Sequence, residues 1–266
     1  MPAQLDLDAI RRRFSSSTIG HRILYFPSVS STMDIARQEA ERGTPEGTVV
    51  VADEQTAGRG RFGRYWVSGS GQNLLFSVVF YPEQAALSGL SMIASVAVLS
   101  AIKKVTALAP TLKWPNDVLV AGRKLSGILV ETAILDNHLR YAVVGFGINV
   151  NFDPSGTQEI ASFTTSLSNE LCRQVSREGL LEATLAELSE LYLRLKAWGD
   201  VRRQWEGALS TLGTHVRIQW GSGVEEGLAE AVDSDGNLIL RRSDGTVATL
   251  SGGDVTFQGC PGTVEG

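Results

Sequence analysis

Three arginines set among three glycines, Arg59, Arg61 and Arg64 with Gly58, Gly60 and Gly63, occupy the stretch QTAGRGRFGRYW from Gln55 to Trp66. Arginine carries a permanent charge on a forked donor that matches carboxylate and phosphate oxygens. Glycine lets a backbone approach a bound group closely and reach φ > 0. A loop of this composition, hung on a rigid strand, is suited to gripping an anionic small molecule. The same residues also suit a basic surface loop or an Arg-Gly segment that touches RNA. The loop alone does not choose among the three.

Three further segments carry reactive side chains. Lys113-Trp-Pro-Asn-Asp117 interrupts a strand where Pro115 and Asn116 force a turn. Lys124-Leu-Ser-Gly-Ile-Leu-Val-Glu131 places Lys124 at the mouth of an apolar strand, and Gly127 leaves room for a group to pack on the backbone. Gly145-Phe-Gly-Ile-Asn-Val-Asn151 ends another strand in glycines and amides. Each segment alone reads as a hairpin end. Their succession points to one composite site of cations, a carboxylate and amides.

The 266 residues suffice for one large core, or for one large and one small domain. Hydrophobic residues make up 43% and charged residues 20%, as in an ordinary globular protein. A net charge of −5 provides no chain-wide basic field for nucleic acid, so the loop arginines are a local concentration that favours a small anion. Cys172 and Cys260 cannot build a disulfide framework or a four-ligand zinc site, and they read as plain thiols of a reducing compartment. The N-terminus lacks an apolar signal core, and the apolar run Leu90–Ile102 is too short to span a bilayer, so a cytoplasmic location is expected with no membrane partner.

The elements that must position these residues are legible in outline. A short helical lead-in and a Ser-rich turn fill residues 1–20, and Arg22–Phe26 reads as a strand. A helix then runs to Glu41, with Ser30 or Ser31 as N-cap and Gly43 as the stop. The run of β-branched residues in Gly47–Ala52 predicts a buried strand leading into the loop. Asn73–Tyr81 is a strand and Gln84–Leu108 a long apolar helix. Strands follow at Thr111–Trp114 and Val118–Ala121, then Lys124–Ile134 and Leu139–Val150, with turns at Gly122 and Asp136-Asn137. Leucines at helical spacing predict a helix over Glu178–Trp205. Beyond Gly213, five short alternating strands predict a small β-barrel or curled sheet, with a boundary near residue 210.

In chain order the sequence reads SVSSTMD, EQTAGRGRFGRYW, KWPNDV, KLSGILVE and GFGINVN. This succession closely resembles the biotin protein ligases over residues 22–210, with a β-rich tail that the family also carries. The resemblance implies an α+β fold: a mixed β-sheet packed with helices, of the class II synthetase-like biotin/lipoyl ligase type, over residues 1–210. A small Src-homology-3-like barrel over 211–266 would follow. It implies two steps. Biotin carboxylate attacks the α-phosphate of ATP to give biotinyl-5′-AMP and pyrophosphate, and a lysine amine of a biotin carboxyl carrier domain, such as that of acetyl-CoA carboxylase, then displaces AMP.

The first step brings a carboxylate onto a polyanion, and unit charges about 4 Å apart repel by about 4 kcal/mol at the effective dielectric of a partly buried site. Prepositioned cations offset that repulsion most strongly in the transition state. By resemblance, Arg59, Arg61 and Arg64 lie over biotin and the adenylate, and Lys124 contacts both the biotin carboxylate and the α-phosphate. Asp117 holds Mg²⁺, pairs with a lysine, or assists deprotonation of the acceptor lysine. Lys113, Asn116 and Asn149 fall near the phosphates. Ser31, Thr32 and Gln55 match positions that hydrogen-bond the ureido ring, with Arg61 and the backbone at Gly58, Gly60, Lys124 and Gly127 beside it. Met33 stands where many relatives carry asparagine and is expected to line the pocket. Trp66 is expected under the loop, and Phe163 either stacks on adenine or packs in the core.

A lipoyl or octanoyl ligase performs the same activation, but its acyl chain does not call for Ser, Thr and Gln aimed at a ureido ring. A biotin-responsive repressor would need a DNA-reading module, and about 20 residues precede the first strand, so no DNA partner is expected. A passive binding module would need neither Lys124 nor Asp117. The resemblance leaves monomer and homodimer open.

Overall fold

Alternation along three adjacent strands decides which side of the molecule is free to hold a ligand. A computed structural model of the protein describes residues 5–196, 201–221 and 223–258. Strands β1 (Ile23–Phe26), β2 (Val49–Ala52), β3 (Leu74–Phe80), β4 (Thr111–Lys113), β5 (Asp117–Val120), β6 (Arg123–Leu135) and β7 (His138–Ile148) form one sheet in the order β1-β2-β3-β7-β6-β5-β4. Only β1 and β2 are parallel, joined through helix α2 (Thr32–Glu41), so the sheet is mixed.

Leu74, Phe76, Val78 and Phe80 of β3, Val49 and Val51 of β2, and Ala142, Val144, Phe146 and Ile148 of β7 share one face. They pack there with the long helices α3 (Leu87–Thr106) and α5 (Arg177–Lys196). Phe76 and Phe146 stack across β3 and β7 with centroids 4.4 Å apart. The intervening residues Val50, Val79, Tyr141 and Val143 pack on the other face against Met33, Ala36 and Ala40 of α2. Each such buried side chain contributes about 1.5–3 kcal/mol. Helix α2 covers only part of its face. Past Val143 the same face carries Gly145, Gly147 and Gly127.

Ser31 caps α2, accepting from the Met33 amide at 3.3 Å, and Gly43 follows the helix at φ +77°. The β5–β6 turn has Ala121 and Gly122 at φ +49° and +75°, and the β6–β7 turn has Asp136 and Asn137 at +50° and +59°. Two successive positive φ values are what a tight two-residue hairpin turn requires. Helix α1 (Asp8–Arg13) supplies the lead-in, and Ser166 caps a short helix α4 (Leu167–Leu171) that the sequence pattern did not signal.

Two expectations change. The apolar run belongs to a helical stretch from Gln84 to Thr106 that is long and apolar enough to cross a bilayer, so length does not exclude a span. What places it inside is burial, because Leu90, Ile93, Ala97 and Ile102 are fully enclosed. The single helix expected over Glu178–Trp205 is α5 followed by a separate helix α6 (Arg202–Glu206), and residues 197–200 lie outside the described set. Leucine spacing registers which side is buried, and Trp205 of α6 is buried in the same core without continuing α5.

The remaining strands β8 (His215–Trp220), β9 (Gly223–Val232), β10 (Leu238–Arg241), β11 (Val247–Leu250) and β12 (Asp254–Phe257) form an antiparallel sheet in the order β11-β10-β9-β8-β12. Val216, Ile218, Leu238, Leu240 and Val255 turn inward along it. Trp114 ties the two sheets together: its indole donates to Gly236 O at 2.9 Å, and its amide donates to Thr211 Oγ1 at 2.9 Å.

Candidate active site

Glycines clear a floor on the open end of the sheet. Gly127 of β6 pairs with Gly147 of β7 and with Asp117 of β5, so the three share one face. A Cβ on Gly147 would lie 2.5 Å from the Trp66 ring, and one on Gly127 would lie 3.1 Å from it. The indole therefore rests directly on the strand backbone. At Gly145 the same test meets Met33 Sδ at 2.3 Å, so the thioether fills the floor beside the indole. Trp66 Nε1 is buried and has no hydrogen-bond partner among the described residues.

Polar groups collect at the end of this floor under α2. The Gln55 side-chain oxygen accepts from the Thr32 amide at 2.8 Å and from Thr32 Oγ1 at 2.9 Å. Thr32 Oγ1 also lies 2.8 Å from Ser77 Oγ, and Ser31, Thr32 and Ser77 are all buried. Gln55 follows the strand β2, and Thr32 begins the helix that Ser31 caps. Strand, loop and helix N-terminus thus meet at one small network. Ser77 was missed by sequence reading; its signal is a lone hydroxyl in the apolar strand LLFSVVF.

Cations and two carboxylates, Asp117 and Asp254, collect toward the other end. Lys124 Nζ lies 2.7 Å from Asp117 Oδ1 and 5.9 Å from the Trp66 ring. A register shift between Val118 and Leu119, where β5 meets β6, accompanies Lys124. The backbone of Lys124 donates to Phe163 O at 2.7 Å, and its carbonyl accepts from Thr165 N at 2.9 Å. Lys113 sits opposite Asp117 in the β4–β5 register, with its ammonium 5.6 Å from the Phe257 ring of β12. Burial depresses the Lys113 pKa; Asp117 and Asp254 oppose the shift, while Lys124 and Arg64 add to it.

The loop arginines divide between two places. Arg61 Nη1 donates to Asn116 Oδ1 at 3.4 Å and to Gly253 O at 3.3 Å, and burial lowers its pKa against the opposing charges of Asp117 and Asp254. Arg64 forms an ion pair with Asp254 of β12. Arg59 instead donates to Asp34 Oδ1 at 2.5 Å and to Glu131 Oε2 at 3.0 Å. Gly58 is required as glycine, because a Cβ there would lie 2.8 Å from Trp66 O; Gly60 sits at the same crossing, its amide donating to Arg64 O at 2.7 Å.

Asn116 uses its amide on the Ile128 carbonyl, so it holds the turn while its oxygen accepts from Arg61. Asn149 is buried and donates to Thr165 O at 3.1 Å, and its Oδ1 has no hydrogen-bond partner among the described residues. Phe163 is 52% exposed, which overturns the core-packing alternative for this ring. Among the described residues no group of three or more His, Cys, Asp or Glu side chains could cage a metal. Asp117 and the Asn149 oxygen are donors of the hard kind that Mg²⁺ takes, and so small a set would suit an ion that keeps most of its waters.

Contacts from the second sheet were invisible in the sequence. Gly253, Asp254 and Phe257 reach Arg61, Arg64 and Lys113 from over a hundred residues away in the chain. No local signal in SGGDVTF announces those pairings.

Residues 25–149 match the family described as the Biotin/lipoate A/B protein ligase family, and residues 211–257 match the Biotin protein ligase C terminal domain. The chain is 34% identical over 238 residues to the biotin–[acetyl-CoA-carboxylase] ligase of Mycobacterium tuberculosis, covering 85% of each. It is 32% identical over 249 residues to the bifunctional ligase/repressor BirA of Bacillus subtilis, covering 92% of this chain and 77% of that one. Among solved structures, the biotin protein ligase from Aquifex aeolicus in complex with biotin and ATP is similar at a TM-score of 0.75 and 27% identity, covering 89% of this chain and 98% of that one. That of Leishmania major in complex with biotinyl-5-AMP gives 0.60 at 28% identity, covering 87% and 99%.

Proposed function

The chain belongs to the biotin protein ligase family, and on that premise we propose how its residues carry out ATP-dependent ligation of biotin. Biotin and ATP are its substrates. The Lys124–Asp117 pair beside the Trp66-on-glycine floor supports the residue-level reading, because Lys124 is a cation next to both the indole and the carboxylate that this reading sets at the phosphates.

Biotin lies along the floor, its fused rings between Trp66 and Met33 and its ureido group at the Thr32–Gln55–Ser77 network, with Ser31, Gly58 and Gly60 lining the same end. Leaving one ureido partner unpaired in such a closed pocket costs about 1–3 kcal/mol, which gives selectivity over lipoate. The valeryl carboxylate then falls at Lys124 above Gly127. Lys124 moves from Asp117 to bridge the carboxylate and the α-phosphate as the new oxygen–phosphorus bond forms and pyrophosphate leaves. Arg61, Arg64 and Lys113 neutralise phosphate charge, Asn116 holds Arg61 in place, and exposed Phe163 offers a face to adenine. A Mg²⁺ arriving on the phosphates would be held by Asp117 and Asn149 during this first step and would supply further neutralisation of the phosphate oxygens.

In the second step the amine of a carrier-domain lysine attacks the biotinyl carbonyl and AMP leaves. Asp117, freed from Lys124, is placed to receive the proton. We assign residues 1–210 to the catalytic domain and 211–266 to the C-terminal one. The acceptor is a carboxylase carrier domain, the protein acts in the cytoplasm, and no DNA partner is assigned, in keeping with a net charge of −5. Biotin-dependent exchange between pyrophosphate and ATP tests the first step: exchange with biotin but not with lipoate is expected, and the reverse preference would move the chain to the lipoyl ligases.

A further inference from the structure

Arg59 differs from the other arginines of the loop because both arms of its fork are spent at the loop's base. Nη1 meets Asp34 in the first turn of α2, and Nη2 meets Glu131 on β6. Asp34 follows Ser31 and Thr32 on the helix that carries the polar network, and Ser30 Oγ and Arg37 hold the same carboxylate at 3.4 Å and 3.5 Å. Glu131 pairs with Val143, so it stands on the face that carries Gly127 and Met33. One guanidinium therefore ties loop, helix and strand together around the end of the floor. Its Nε is buried. A lysine, with one ammonium, cannot span two carboxylates that lie on different elements.

We propose that Asp34 and Glu131 are positioning residues that staple the base of the Arg-Gly loop closed, and that through Arg59 they set how long biotinyl-5′-AMP is retained before an acceptor lysine arrives. This rests on the ligase reading above. An acyl-adenylate is a mixed anhydride that acylates any amine it meets, so selective transfer requires the loop to stay shut between the two steps. Neither carboxylate reaches the Lys124–Asp117 pair, so the staple acts on release and not on the bond-forming step.

The test compares the wild type with an Asp34→Asn/Glu131→Gln double variant, each loaded with biotin and ATP and then desalted. The double variant should release adenylate about tenfold faster, equivalent to about 1.4 kcal/mol. It should also label the lysines of serum albumin added as a bystander. Single-turnover pyrophosphate release and the thermal midpoint should stay at wild-type values. Arg59→Lys should reproduce the fast release, and adding it to the double variant should add little, because all three changes remove one interaction. Should the double variant fold poorly, Glu131→Gln alone carries the same expectation of faster release. A double variant that holds adenylate as long as the wild type overturns the staple alone. A wild type that forms no adenylate overturns the staple and the ligase reading together.

Discussion

Lys124 is where the chemistry is most concentrated. Replacing it with alanine removes the cation between carboxylate and phosphate, and loss of one such preorganised donor costs about 100-fold or more in rate. Lys124→Ala should therefore abolish pyrophosphate release while circular dichroism and the melting curve stay native, and normal release would contradict its role. Lys113 makes a pH prediction. Burial lowers its pKa below the ordinary value of 10.5, so it loses its charge at a lower pH than an exposed lysine does. ATP affinity should fall as pH rises through that alkaline window, and Lys113→Arg, which stays charged, should remove the fall. The stability sign is opposite: holding a buried cation costs the fold below the depressed pKa, and that cost fades as pH climbs toward 10.5. Gly147→Ala should displace the indole, since the added Cβ has 2.5 Å to the ring, and weaken biotin binding about tenfold by calorimetry. The types and order of these residues were legible in the sequence. The partners of Arg59 were not, because a charge in the first turn of a helix and one within a strand carry no local signal that they meet a distant arginine.

Strand β12 is the element whose role the sequence hid most completely. It was expected only as one of five alternating strands, yet Asp254 and Phe257, with Gly253 just before them, bear on two arginines of the Arg-Gly loop and on Lys113 of β4. Such pairing depends on how two sheets dock, which no local periodicity records. Asp254→Ala should free the tip of the loop and raise the KM for ATP several-fold with the melting midpoint nearly unchanged, and an unaltered KM would remove β12 from the site. The surface exposure of Arg64 and Asp254 makes a large stability effect unexpected. Helix α2, by contrast, was readable to its ends: a serine N-cap, an apolar stripe through Met33, Ala36 and Ala40, and a glycine stop. The separate assignment of α6 was not, because leucine spacing carries burial and no information about where one helix ends and another begins.

At the scale of the whole molecule, an apolar sheet is buried on one face by α3 and α5, and on its other face α2 covers one part while glycines let Trp66 and Met33 settle on the backbone of the rest. Strands carry Asp117, Gly127 and Gly147, while the Arg-Gly loop over them is held at its base by Arg59 and toward its tip by contacts to the second sheet. Intact mass of a purified carboxylase carrier domain, incubated with this protein, ATP, Mg²⁺ and either biotin or lipoate, tests that account most directly. A gain of one biotinyl group that requires ATP, and none from lipoate, is the predicted result. Modification by lipoate alone, or none from biotin despite tight binding, would contradict it.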